Sequence, residues 1–201
     1  MKAVVLTTSL IFMLSGCNSV GKHLTISEYS TWSNGVNYPY NSSCEASDIH
    51  YSLKLYTTDL ELARSISLGD TKPEEEQVFK AAYANSSTAV LKIILPDSRS
   101  TIFDFNPDHS YTRPERISYY SFNFSTAFKA VSKSGDTVNC SYAAVEPGGS
   151  SYYIATANLE FPLSFSEISS ILFNDEILSG KQLVFNFNPI DKKTKSPKLK
   201  L

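Results

Sequence analysis

Residues 87–95 read STAVLKIIL, and the chain then breaks at Pro96, Asp97 and Ser98. Ala89, Leu91, Ile93 and Leu95 fall on one side of an extended chain, the period of a strand with one face in a core. Val90 and Ile94 place apolar groups beside Lys92 on the other side, so both faces are expected to be partly covered. The same period of two recurs on either side of this stretch. Upstream, Ile49, Tyr51, Leu53 and Leu55 alternate with polar or charged neighbours. Downstream, residues 101–105 read as a return strand, followed by candidates at 116–124, 127–133, 138–145, 151–161 and 182–188. Ser134-Gly135-Asp136 and Glu146-Pro147-Gly148-Gly149 supply hairpin-type turns between the later ones. Many strands at this spacing with few helices between them predict a mainly β fold, an antiparallel sandwich or partly open barrel.

Two helices are expected inside this pattern. Thr71 and Glu74 have the spacing of a capping box with Pro73 in the first turn, and Val78, Phe79, Ala82 and Tyr83 then share one face. Ser164 and Glu167 repeat the spacing ahead of Phe165, Ile168 and Leu172. Residues 27–43, punctuated by Asn34-Gly35 and Pro39, read as strand fragments leading into the domain.

The amino terminus carries a different signal. Lys2 precedes an uncharged apolar run at 3–14, shorter than the ~20 residues a spanning helix needs, and the run ends in Leu14-Ser15-Gly16-Cys17. This resembles the lipobox of bacterial lipoproteins. The resemblance implies removal of residues 1–16, acylation at Cys17 and a tether over 17–26, and Asn18 after the cysteine implies sorting to the outer membrane. Several acyl chains at ~0.8 kcal/mol per buried CH₂ would make the attachment effectively permanent. The remainder divides into one globular domain at 27–190 and a Lys-rich tail at 191–201, which reads as mobile for want of apolar anchors.

Charge separates those parts. Residues 17–190 hold 12 basic and 19 acidic side chains, a net −7, whereas the tail is about +4. An acidic body argues against a nucleic-acid partner. With Cys17 assigned to the lipid, Cys44 and Cys140 remain, and an exported domain would let them pair. Such a bridge would close a long loop, for about 4–5 kcal/mol in the chain-entropy model. Two unpaired buried thiols are the alternative.

Candidate chemistry is thin. Asp104, Asn106, Asp108, Thr112 and Glu115 place oxygen atoms at positions 1, 3, 5, 9 and 12 of a 12-residue stretch, which resembles an EF-hand calcium loop. The resemblance fails at position 6, where His109 replaces glycine, and Pro107 and Pro114 favour a simple turn. No cofactor is expected, with calcium at this loop as the alternative. No Gly-x-Ser-x-Gly, His-Glu-x-x-His or phosphate-loop motif occurs, and His23, His50 and His109 lie far apart in sequence. Tyr119-Tyr120 and Tyr152-Tyr153 fall on expected strands, so one of each pair could face solvent as an aromatic contact for a protein or glycan.

The reading is a non-enzymatic binding or accessory lipoprotein of the envelope, facing the periplasm and contacting a protein partner. An immunity or inhibitor lipoprotein aimed at a toxin or hydrolase is the alternative. An envelope hydrolase stands third, because no nucleophile is positioned beside a base.

Overall fold

In a computed structural model the structure describes residues 23–35, 38–107, 110–147, 151–187 and 197–201. Cys17 and the apolar run before it lie outside them. In order along the chain come β1 (His23–Leu24), α1 (Ile26–Asn34), β2 (Asn41–Ala46), β3 (Ile49–Leu55) and α2 (Thr58–Leu68). Next are α3 (Glu76–Ala82), β4 (Ser87–Ile94), α4 (Arg113–Ser118), β5 (Phe128–Ser132), β6 (Thr137–Asn139) and β7 (Tyr142–Pro147). The last are β8 (Ile154–Phe161), β9 (Ile168–Asp175), β10 (Lys181–Asn186) and β11 (Lys198–Leu199). The fold is mainly β: a five-stranded antiparallel sheet, β2-β3-β4-β8-β7, faces a four-stranded one, β10-β9-β5-β6. The two remain an open sandwich rather than a closed barrel.

The 87–95 stretch is the centre of the larger sheet. Ala89, Leu91 and Ile93 are at most 1% exposed, while Val90 and Ile94 are half-buried and Lys92 is exposed. Strand β4 pairs with β3 on one side and, over all eight residues from Ser87 to Ile94, with β8 on the other. Inward residues of these strands meet Phe128, Ile171, Phe173 and Phe185 from the second sheet, and Phe128 stacks on Phe173 at 4.4 Å. The β2–β3 hairpin turns through Ser47 and Asp48, both at positive φ (51° and 63°), the geometry of a two-residue turn whose twist matches the strands.

Several expected elements take another form. Residues 101–105 make a turn instead of a strand, because short polar side chains bond locally: Asp97 accepts from the Arg99 N–H and the Ser100 hydroxyl, and Asp104 accepts from Thr101. Residues 116–124 are helical rather than extended, running from α4 into one turn of π-helix at Tyr119–Asn123. Ser164 and Glu167 close a tight turn rather than start a helix, and Ile168 onward is β9, bonded to strands on both sides. The 138–145 candidate splits into β6 and β7, which belong to different sheets.

Among the described residues four α-helices form where one or two were expected. Thr25 and Glu28 make a reciprocal capping box for α1, inside what reads as tether and strand. Thr57 caps α2, and Gly69 ends it at φ 81°, a left-handed conformation that glycine adopts without strain. The start of α3 is displaced by one position: Glu75 accepts the Lys72 N–H, while the Thr71 hydroxyl meets Ser65. Its expected apolar face is largely open, with Val78 73% exposed and Phe79 stacked on Tyr83.

A second cluster covers the outer side of β3. Leu24, Tyr29, Tyr38, Leu60, Leu62 and Ala63 pack with Leu199 from the tail. Parallel β1–β11 pairing and a bond from the Leu199 N–H to Asp59 (3.2 Å) hold that residue in place. The tail thus has the apolar anchor that its lysines conceal.

Candidate functional site

Of the two tyrosine pairs, Tyr152-Tyr153 divides into one outward and one inward ring as expected, and Tyr119-Tyr120 does not. Tyr119 and Tyr120 sit on the π-turn after α4, and Tyr120 is 3% exposed, wedged against Phe103, Tyr119 and Phe124. Its hydroxyl is buried with no hydrogen-bond partner, and Tyr119 is half-buried against Phe124. Burial pushes both phenols above the ordinary tyrosine range. Tyr152 and Tyr153 lie in the turn before β8: Tyr152 is 70% exposed, whereas Tyr153 packs on the core and its carbonyl accepts the Leu95 N–H. Of the four, Tyr152 is the open aromatic. Phe122 on the π-turn and Tyr142 on β7 are also exposed, and neither stands out in the sequence.

The calcium-like residues have other work. Thr112 and Glu115 form the capping box of α4, with the Glu115 carboxylate accepting from both the N–H and the hydroxyl of Thr112 at 2.7 Å. Asp104 accepts from Arg113 (2.7 Å) and Thr101 (2.5 Å), and those donors hold its carboxyl below the usual range. Asn106 donates to the Tyr111 carbonyl, and Asp108 lies outside the described residues. Among the described residues no group of three His, Cys, Asp or Glu side chains converges.

The expected bridge between Cys44 and Cys140 is not formed. Cys44 is on β2 and Cys140 is in the two-residue link from β6 to β7, and β2 and β7 are opposite edges of the larger sheet. Three strands intervene, so at about 4.8 Å per step the edges are ~19 Å apart, against ~7 Å at most between bridged Cα atoms. The Cys140 thiol instead donates to the Tyr142 carbonyl at 2.9 Å. Burial pushes both thiols up, keeping them protonated and slow to react at neutral pH. Protein denatured without reductant is expected to bind a thiol reagent at both positions, and a bridged peptide in non-reducing mass spectrometry would contradict this.

Among the described residues two charged side chains are buried. Arg116 donates to the carbonyls of Phe103 (2.7 Å) and Tyr111 (2.5 Å), fixing the loop around α4. Asp175, at the end of β9, accepts from the Tyr51 hydroxyl at 2.5 Å, the N–H groups of Leu178 and Ser179, and the Ser179 hydroxyl. Both tie segments of the fold together through these bonds.

A third charged group is placed differently. Lys54 points outward from β3 into the gap between α1 and α2, and is half-buried. Its ammonium donates to Asn34 (2.9 Å) and Ser33 (3.2 Å) at the end of α1. It also lies over the rings of Tyr38 (5.2 Å) and Tyr56 (5.3 Å). The Arg64 guanidinium of α2 also lies over the Tyr56 ring, 6.0 Å from its centre. A recess of about 230 Å³ opens between these groups, lined also by Ser30, Ala63 and Ser67. Among the described residues no carboxylate lies within 4.0 Å of either cation. Glu61, one turn before Arg64, receives the Thr88 hydroxyl from β4 and lines a second cleft with Asn158, Glu160 and Arg64 itself. Desolvation draws the Lys54 ammonium below the ordinary lysine range. Neutral acceptors and ring faces hold the charge without cancelling it. In sequence this lysine is one more polar residue of an alternating strand, and the missed helix α1 is what encloses it.

No protein-family model matches the chain, and no curated protein matches it. Among solved structures, a DUF4426 family protein from Pseudomonas aeruginosa PAO1 is similar over 76% of this chain and 94% of its own, at 9% identity and a TM-score of 0.34. A likeness of that degree carries no argument about activity, so the reading of this chain rests on its own residues.

Proposed function

We propose that the protein is an envelope lipoprotein, anchored through an acylated Cys17, whose sandwich acts as a non-enzymatic binding or accessory component facing the periplasm from the outer membrane. The observation that carries this reading is the short span between the LSGC run and the first strand: five residues separate Cys17 from His23. Six Cα steps of at most ~3.6 Å reach about 22 Å, so an acylated domain would ride close to the bilayer with β1, β11 and α1 on the near side. Lys198 and Lys200, both exposed on either side of the anchored Leu199, would add attraction to anionic head groups.

Binding rather than catalysis is supported by how the ionisable groups are used. Arg116 and Asp175 brace the fold, and His50 contacts Glu45 at the surface (3.5 Å). The test is metabolic labelling with a fatty-acid probe. Wild type is expected to carry the label and fractionate with membranes, and Cys17→Ser to lose both. An unlabelled wild type would remove the anchor. Hydrolysis of peptidoglycan, lipid or ester by the purified protein, abolished by one Ser or His substitution that leaves the melt unchanged, would overturn the binding reading.

A further inference from the structure

We propose that the recess between α1 and α2 binds a phosphate monoester, held by Lys54 and Arg64. An ammonium has three N–H donors, and Asn34 and Ser33 take two of them, leaving one for the recess. The Arg64 guanidinium lies over the Tyr56 ring and lines the same recess, and its planar set of N–H donors is of the kind suited to paired oxygens of an oxyanion. The exposed Ser30 hydroxyl lies at the same opening.

Two positive charges with no carboxylate within 4.0 Å of either favour a ligand of about −2. A phosphate monoester carries about −1.5 to −2 at neutral pH, whereas a carboxylate would leave one cation uncompensated. Half-burial strengthens the preference, because Lys54 has lost part of its water and gains more from an anion there than an exposed lysine would. Size narrows the ligand further. At about 230 Å³ the recess is smaller than the ~300–1,000 Å³ of sites for drug-sized molecules, and suits a glycerol-sized phosphate. The Tyr56 ring and the exposed Leu68 give such a ligand an apolar flank.

That group can come from a soluble phosphate ester or from the head group of phosphatidic acid, and the site chemistry is the same for both. It does not depend on the acyl anchor. The test uses the full-length protein in neutral detergent, titrated calorimetrically with glycerol 3-phosphate, with short-chain phosphatidic acid and with acetate, short-chain phosphatidylcholine serving as control. Saturable binding of glycerol 3-phosphate is expected, at least ~10-fold weaker in Lys54→Met and in Arg64→Gln and lost in the double variant. Lys54→Arg should retain most of the affinity, and Arg64→Gln, at an exposed position, should keep the wild-type melt in the absence of ligand. Binding of phosphatidic acid without glycerol 3-phosphate would assign the site to a lipid head group; binding of glycerol 3-phosphate makes a soluble ester sufficient. Absence of heat with both phosphates, equal affinity for acetate, or affinity unchanged in Lys54→Met and Arg64→Gln would each overturn the proposal.

Discussion

Replacing Asp175 by alanine is expected to cost about 3–5 kcal/mol of folding stability, a large part of the ~5–15 kcal/mol available to a domain of this kind. Its carboxylate is 1% exposed and receives the Tyr51 hydroxyl, the Leu178 and Ser179 N–H groups and the Ser179 hydroxyl. Hydrogen bonds to a charged acceptor are each worth ~1.5–3 kcal/mol, and alanine also strands a buried phenol and two backbone donors. The bonds share one acceptor group and are not additive, which is why the total stays below their sum. The Tyr51 bond joins β3 of one sheet to β9 of the other, so the loss falls on the association of the two layers. Urea denaturation should show a lower midpoint at an unchanged slope. Tyr51→Phe removes one of the four bonds and should cost less, whereas Tyr120→Phe deletes a hydroxyl that has no partner and should be neutral or stabilising. A midpoint for Asp175→Ala equivalent to less than about 1 kcal/mol would show that the carboxylate is not the brace described.

Raising the pH should unfold the protein abruptly in the alkaline range. Tyr29, Tyr38, Tyr51 and Tyr120 are all at most 3% exposed, and burial is the leading cause that pushes each phenol up, Tyr29 to about 12 from an ordinary 10.0. A phenol held neutral in the fold contributes stability that is fully present below its unfolded value and lost as pH rises toward its folded value. Above about pH 10 the unfolded chain releases these protons and the folded chain does not, so each buried tyrosine removes ~1.4 kcal/mol per pH unit. Four of them at about pH 11 amount to roughly 5 kcal/mol, comparable to the whole stability. Tyrosinate absorbance and far-ultraviolet circular dichroism should therefore change together in one cooperative step. A smooth titration of these phenols near their ordinary value, with circular dichroism unchanged, would show that they are not buried as described.

The sequence by itself determined the strands whose period of two is complete over seven or eight residues. In β3 and β4 the alternating apolar side chains can be buried in one way only, on one face of a sheet, and no remote partner is needed to read that. It also determined that the sheets would be antiparallel, since short turns rather than crossover helices join most strands. Tertiary structure decided the cases in which local signals tie. Thr112 with Glu115 and Ser164 with Glu167 have the same capping spacing, yet the first starts α4 and the second turns into β9. The difference lies in the neighbours: Ile171 and Phe173 of β9 find β5 and β10 waiting on either side, and Tyr120 and Phe124 after α4 are buried as a plug against the same core. Sheet order, a non-local property, set Cys44 and Cys140 on opposite edges and unpaired them. The candidate site belongs wholly to this second category. Lys54 on an outward-facing position is indistinguishable in sequence from Lys92 on the next strand, and only the docking of α1 and α2 over one of them turns a solvated lysine into a half-desolvated cation at the mouth of a recess.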